Sequence, residues 1–528
     1  MKKTLILGLF LSIGLGACGR EDIDDNQINV VADPGNGSGT STSTTDTSTS
    51  TAETPTVTGN VEVNDFIWKG MNQWYYWQEE VEQLADTVDD VQSQYINYLA
   101  SIEDPEDFFY SLEHQDDRFS WIDPDYENLE NQLSGISASN GMKFLLYRRC
   151  SSCNGLVGAV TYVLPNSDAA EKGVVRGDIF NAVNGIELTV NNYASLLYGD
   201  AMNYSIDLVN YDASADVVTP RDITINLVKE EDFQEIPIHK AEVFEHNGNQ
   251  VGYLMYNKFV GVVDSDGDGN EDFDFDQALI DAFNEFATQN INQLVVDLRY
   301  NGGGSVRTCT YLASLITGQF TGTVFAQQQW NSKLMDYFDG INNDSNPNND
   351  YDLNDYFVDT THKGVSLPGL QLNRVYILTS NRSASASELL INGLSPHINV
   401  VQIGKATYGK NVGSITLYDY IDNNNDVRNP NHTYAMQPIV LRIANSEGFA
   451  DYTNGLTPDV DLRESASTFG VLGDPNEPLL AAALNHMGGG SGKVQSNNSP
   501  WIPIIDEIEE GQQRMFVDIP KGFRFSLD

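Results

Sequence analysis

Basic side chains are scarce in this chain: 29 Lys and Arg stand against 75 Asp and Glu, a formal charge of −46 at pH 7. A surface of that sign repels phosphates, which excludes nucleic acid and anionic surfaces as partners and favours cations. Cysteine is nearly absent, with four in 528 residues. Cys150 and Cys153 form a Cys-x-x-Cys pair, but no two further ligands can be placed for a zinc site. In an oxidising compartment the expectation is a disulfide that staples a loop, with Cys309 left as a buried free thiol. Long apolar runs are missing too. The stretch after Lys2 and Lys3 is too short to span a bilayer stably.

What is present begins with a run of small residues, Ser383, Ala384, Ser385, Ala386 and Ser387, followed by Glu388. The β-type stretch from Val375 to Ser380 precedes it and predicts a strand ending near Asn381. Leu389, Leu390, Ile391 and Leu394 then predict the buried face of a helix. Ser385 therefore falls at a strand-to-helix junction, where backbone N–H groups lack helical partners. A hydroxyl there needs a base to become a nucleophile and donors for the oxyanion it creates. The N–H of Ala386 is one candidate donor. Taken alone, the run reads more readily as a tightly packed helix start.

Lys410 follows the apolar run from Ile398 to Ile403, in a turn flanked by Gly404 and Gly409. A lysine serves as a base only where desolvation or neighbouring charge favours the neutral amine, and this apolar neighbourhood suits that role. Upstream, the strand-like Gln293 to Arg299 leads into Tyr300, Asn301, Gly302, Gly303 and Gly304. Three glycines expose backbone donors able to cradle an oxyanion, and equally suit a tight turn.

Together the three pieces resemble the carboxyl-terminal processing proteases, also called tail-specific proteases. The family pattern Asp-Leu-Arg-x-Asn-x-Gly-Gly is matched by Asp297, Leu298, Arg299, Asn301, Gly303 and Gly304, and its Ser-Ala-Ser-Glu core by Ser385 to Glu388. Gly455, Leu456, Thr457, Pro458 and Asp459 are similar to the Gly-x-x-Pro-Asp segment that closes its catalytic domain. The resemblance implies Ser385 as nucleophile, Lys410 as general base, the N–H groups of Gly303 and Ala386 as oxyanion hole, and Ser383 and Ser387 as supporting residues. Many members carry a Gln four residues after the lysine to orient its amine. This chain has Ser414 there, and Glu388 is a second candidate for that role.

The N-terminal Lys2, Lys3 and the ending Leu15, Gly16, Ala17, Cys18 resemble a bacterial lipoprotein signal, implying cleavage before Cys18 and lipid, palmitate included, on the mature N-terminus. Glu21, Asp22, Asp24 and Asp25 are similar to the surface-export signal of Bacteroidetes lipoproteins. The expected location is the cell envelope, as an outer-membrane lipoprotein facing the periplasm or the cell surface. From about Asn36 to Thr58 the chain is largely Ser, Thr, Gly and Pro, which predicts a flexible tether. Asn64 reads as an N-cap for a helix carrying Phe66, Ile67, Met71, Trp74 and Tyr75, opening a small helical domain. Ala169, Ala170, Gly173, Val174, Gly177, Asp178 and Ile179 resemble a PDZ domain, a module that binds an extended peptide as an added strand.

The predicted division is a signal peptide (1–18), tether (19–60), helical domain (61–130), PDZ domain (134–230), catalytic domain (235–485) and C-terminal extension (486–528). The fold class is α/β, and the resemblance implies a crotonase-like catalytic core. Gly488 to Lys493 fails as a phosphate loop, because Met487 replaces the first Gly and Val494 follows the Lys; a linker is expected. Asp264, Asp266, Asp268, Asn270 and Asp272 are similar to the start of a calcium loop, although Phe275 stands where a bidentate Glu belongs. A structural calcium and a solvated acidic turn remain equal readings, and the Ser-Lys chemistry requires no cofactor.

The expected function is an exported serine endopeptidase acting on protein or peptide substrates, with recognition of polypeptide C-termini. Two alternatives from other classes stand beside it: a catalytically idle peptide- or ligand-binding surface lipoprotein, and a calcium-dependent scaffold.

Overall fold

A computed structural model describes residues 59–150, 152–212, 217–263, 271–343, 351–422, 426–489, 501–504 and 515–517, all within one unit. The expected lipidation residue Cys18, the expected tether up to residue 58, and Asp264, Asp266, Asp268 and Asn270 of the expected calcium loop lie outside the described residues.

Parallel pairing organises the centre. A six-stranded sheet runs in the order Ile238–His246, Asn249–Tyr256, Gln293–Asp297, Arg374–Thr379, Asn399–Gly404 and Val460–Asp461, and every pair after the first is parallel. Parallel neighbours need crossovers, and helices supply the first three of them here. One is Phe275–Thr288, capped by the Asp274 side chain accepting from Gln277 N–H. Its Phe275, Leu279, Phe283 and Phe286 recur at helical spacing and are buried. The others are Val306–Thr317 and Ala386–Leu394, which pack into the same core. Because these strands are covered on both faces, they read as near-continuous apolar runs such as Leu294–Val296 and Val375–Leu378.

A second sheet runs Gly304–Ser305, Met515–Phe516, Val412–Ser414, Ile439–Asn445, Val324–Trp330 and Asn354–Tyr356. A third, wholly antiparallel, runs Ile502–Pro503, Met142–Arg148, Leu156–Val163, Ile179–Val183, Asn203–Asp212 and Val217–Val228, with Ile186–Glu187 paired to Ile179–Val183. It encloses its own core of Leu146, Val160, Phe180, Ile206 and Leu227.

Two expectations change. The first helix spans Gly59–Trp74, so Asn64 is not its N-cap. Asn64 is buried mid-helix, and its Nδ2 donates to the carbonyls of Leu99 and Ile102 at 2.8 and 2.9 Å, which is why an asparagine is tolerated there. The N-terminal region is not purely helical either, since Trp121–Asp123 pairs antiparallel with Ala435–Gln437. The C-terminal extension, for which the sequence indicates no role, contributes strands to two sheets. Cys150 and Cys153 are joined as a disulfide. Cys309 is a buried free thiol whose pKa burial pushes well up.

Candidate active site

The three loops singled out in the sequence all leave the carboxyl ends of adjacent parallel strands. Asp297 sits opposite Leu378, and Thr379 opposite Gly404, so the glycine loop, the serine turn and the lysine segment emerge side by side. Loops at that end of a parallel sheet are where such folds gather their ligands.

Ser385 occupies the turn into the helix Ala386–Leu394 with φ +65° and ψ −118°, a conformation that L-residues adopt only when their surroundings impose it. Those surroundings are explicit. Ser383 Oγ donates to Leu298 O at 2.7 Å, Ser387 Oγ donates to Asn301 O at 3.0 Å, and Ala384 N–H donates to the same Asn301 carbonyl at 3.2 Å. The two flanking serines thus stitch the turn to the glycine loop. Ala384 and Ala386 are fully buried, so no larger side chain fits beside the turn. Ser385 Oγ is buried and has no hydrogen-bond partner, the lysine amine included.

Glu388 links serine to lysine through the backbone. Its carboxylate accepts from Ser385 N–H and Lys410 N–H at 2.8 Å each, from Gly409 N–H at 2.7 Å and from Thr407 Oγ at 2.5 Å. Burial pushes its pKa up to about 7, against the pull of those four donors. Lys410 is itself buried, and its Nζ lies 4.7 Å from the Phe119 ring centroid. Arg118 also lies over the Phe119 and Tyr408 rings, 4.9 and 5.3 Å from their centroids. Arg118 and Phe119, far from Lys410 in the sequence, therefore contribute to the lysine's surroundings.

The expected oxyanion donors are placed differently from each other. Ala386 heads the helix, where first-turn N–H groups have no intrahelical acceptor. The Gly303 N–H donates to Asn301 Oδ1 at 2.8 Å within its own loop. Ser414 Oγ donates to Gln437 Oε1 at 2.5 Å and is also 3.2 Å from Met515 O, so a glutamine does stand beside position 414, brought there by folding. Asp272 is the one described member of the expected calcium set, and its N–H donates to Val263 O.

An ion network with no signature in the sequence supports the glycine loop. Arg299 is fully buried and contacts Asp297 at 2.7 Å, Glu477 at 2.6 Å and Glu464 at 2.8 Å. Arg176, from the antiparallel sheet region, contacts Glu464 at 2.5 Å and donates to the Tyr300 hydroxyl at 2.8 Å. Burial opposes ionisation of Glu464, but the Arg176 and Arg299 guanidiniums hold its pKa down to about 2. No local pattern announces the pairs that Glu464 makes with the two arginines and Glu477 with Arg299, which are separated by 165 to 288 positions.

Known proteins resemble this chain. The model of peptidase family S41 matches residues 250–461, and that of the peptidase S41 N-terminal domain matches residues 62–121, the latter including Arg118 and Phe119. A crystal structure described as an S41 protease of Bacteroides fragilis NCTC 9343 is similar at 26% identity and a TM-score of 0.61, covering 80% of this chain and 97% of its own. The photosystem II D1 C-terminal processing protease aligns at 17% identity with a TM-score of 0.43, covering 78% and 95%. Mature CPAF complexed with lactacystin aligns at 12% identity with a TM-score of 0.39, covering 78% and 94%. These last two likenesses are too distant to carry an argument. Comparison with curated proteins gives no match. Two models from one family, at the lysine's N-terminal cover and across the three loops, make this chain a member of peptidase family S41 and thereby a serine-type peptidase.

Proposed function

We propose that this protein is an exported, lipid-anchored endopeptidase with a Ser385–Lys410 dyad on a crotonase-like core, and that a PDZ domain over residues 134–230 recognises substrate C-termini. The observation that carries the dyad is Glu388: one buried carboxylate accepts the main-chain N–H of both Ser385 and Lys410. A nucleophile and base must hold a common frame through the reaction, and a shared backbone anchor provides it. Ser385 Oγ bonds to the scissile carbonyl carbon as its proton passes to the neutral Lys410 amine. That proton then goes to the departing amine, leaving an acyl-enzyme, which water activated by Lys410 hydrolyses. The Ala386 N–H faces the oxyanion, joined by Gly303 once its N–H leaves Asn301.

A second reading, a peptide-binding protein without turnover, draws on the Ser385 hydroxyl having no hydrogen-bond partner. Cleavage of an unfolded protein by wild type, Ser385→Ala and Lys410→Ala separates the two. The dyad predicts loss of turnover in both variants by at least about a thousandfold, with peptide binding retained. A wild type that binds peptide and forms no acyl-enzyme leaves the binding-protein reading.

A further inference from the structure

The glycine loop and the lysine segment continue into Gly304–Ser305 and Val412–Ser414, and these two short strands do not pair with each other. Between them lies Met515–Phe516, from the C-terminal extension. Gly304 stands opposite Met515 and Ser305 opposite Phe516, in parallel. On the other side Phe516 stands opposite Ser414, also in parallel, and Val517 N–H donates to Ser414 O at 3.1 Å. Adjacent strands are spaced by about 4.8 Å, so the inserted strand holds its two neighbours roughly 10 Å apart. Its side chains fit the slot. Met515 and Val517 are buried in the same core as Leu389 and Leu390 of the helix that Ser385 opens, while Phe516 between them is half-buried.

Each flanking segment has one other neighbour of its own. Phe259 N–H donates to Gly303 O at 2.9 Å and Ser305 N–H donates to Phe259 O at 2.8 Å, which fixes the glycine loop from outside. Ile443 N–H donates to Asn411 O at 3.0 Å, and Val412 and Gly413 stand opposite Arg442 and Leu441, which fixes the lysine segment from its far side. Among the described residues, Met515–Phe516 is the strand that ties one side to the other. Without it, the inner backbone groups of both segments would face a slot lined by buried residues, and buried backbone groups are rarely left unpaired. The slot must then close or take in water. Either outcome shifts the Gly303 donor relative to Lys410.

We propose that Met515–Val517 is a positioning strand of the active site, so that the chain's own C-terminal extension completes the catalytic machinery. These residues touch no reacting atom. They set the spacing between the oxyanion loop and the lysine segment, and the contact at position 414, four residues after Lys410, includes the Met515 carbonyl 3.2 Å from Ser414 Oγ. A misplacement of about 1 Å in such a frame costs about a hundredfold in rate. The inference rests on the Ser385–Lys410 reading for its kinetic consequence; the coupling of the two segments through the strand does not depend on it.

The test compares the full-length wild type with Met515→Glu, which forces a charge into the buried slot, and with Met515→Leu, which keeps the slot filled. Hydrogen exchange read by mass spectrometry is expected to speed up at least about tenfold in Met515→Glu over residues 302–306 and 411–415 together, with Gln293–Asp297 unchanged. Cleavage of an unfolded protein is expected to lose about 10- to 100-fold in kcat with KM within about twofold, and Met515→Leu to match wild type in both readouts. A synthetic peptide of residues 511–520 is expected to restore at least about half of the lost kcat, and the same peptide carrying Met515→Glu to restore none; a general loss of stability would not respond to either. If Met515→Glu does not fold, Met515→Ala replaces it, and a fall in kcat of about threefold at constant KM is the expected result. Wild-type exchange in both segments, wild-type kcat in the folded variant, or a loss of kcat that the peptide does not restore overturns the proposal. The two readings fail separately: coupled exchange in a wild type that does not cleave sinks the dyad alone, and full cleavage by Met515→Glu sinks the positioning strand alone.

Discussion

Glu388 and Glu464 are both buried carboxylates that support the same cluster of loops, yet they end at opposite extremes. Glu388 meets only neutral donors, three N–H groups and a hydroxyl, and its pKa sits at about 7. Glu464 meets two guanidiniums and the Tyr300 hydroxyl, and sits at about 2. Desolvation penalises both, so the difference comes from full charges, which offset a burial cost that hydrogen bonds alone do not. Glu388 in the serine–lysine frame consequently titrates near neutrality, while Glu464 beside the glycine loop stays ionised.

The largest effect expected from breaking this comparison is at the charged pole. Arg299→Ala leaves Asp297, Glu464 and Glu477 facing one another, and removing one partner from a buried network costs about 3–5 kcal/mol. Urea unfolding is the check. A loss below about 1 kcal/mol would mean the network is hydrated or rearranges freely.

At the neutral pole, Glu388→Gln keeps the shape but presents an amide N–H₂ to at least one of four donors. A fall in kcat of about 10- to 100-fold with KM nearly unchanged is expected, because the anchor holds the reacting residues rather than the substrate. The variant also tests linkage. The folded pKa of Glu388 lies above its ordinary 4.5, so its contribution to stability is fullest below about 4.5 and is lost as pH rises through about 7. Glu464 behaves oppositely: its depressed pKa means a contribution fully present above about 4.5 and lost only as pH falls toward about 2. Unfolding midpoints from pH 4 to 8 should therefore decline in wild type by a component that Glu388→Gln lacks. An identical slope in both proteins assigns the titration elsewhere.

Arg176→Met sharpens the comparison by removing one guanidinium and leaving the other. Glu464 keeps Arg299 while Tyr300 loses its donor, so a cost of roughly 1–3 kcal/mol is expected, smaller than that for Arg299→Ala. Equal costs would show that the two arginines act as one unit. The smallest effect is at Phe119→Leu, which removes an aromatic face from the lysine while preserving apolar cover. About 0.5–1 kcal/mol, read as a change of up to several-fold in kcat, is the expectation.

Much of the central sheet is legible in the sequence because parallel strands buried on both faces leave unbroken apolar runs. The helix start at Phe275 is legible too, since an aspartate cap and a periodic aromatic face lie within one segment. Asn64 misleads for the opposite reason. Its side chain is satisfied by Leu99 and Ile102, more than thirty residues away, and local pattern cannot distinguish that from a cap. The tail strands are hidden because strand addition depends on an edge supplied elsewhere: Ile502–Pro503 needs Arg148 and Tyr147, and Met515 needs Gly304.

The sequence by itself determined the family and the three segments that carry its pattern, because short motifs encode the local backbone a strand end, a glycine turn and a helix start require. Only the tertiary structure decided which groups secure those segments. Glu388 reaches Lys410 N–H, Phe119 meets the lysine amine, Gln437 comes to Ser414, and Arg176 shares Glu464 with Arg299. Each of these contacts joins positions distant in the chain, and their energies depend on burial and on the charges nearby, which exist only once the strands are in register.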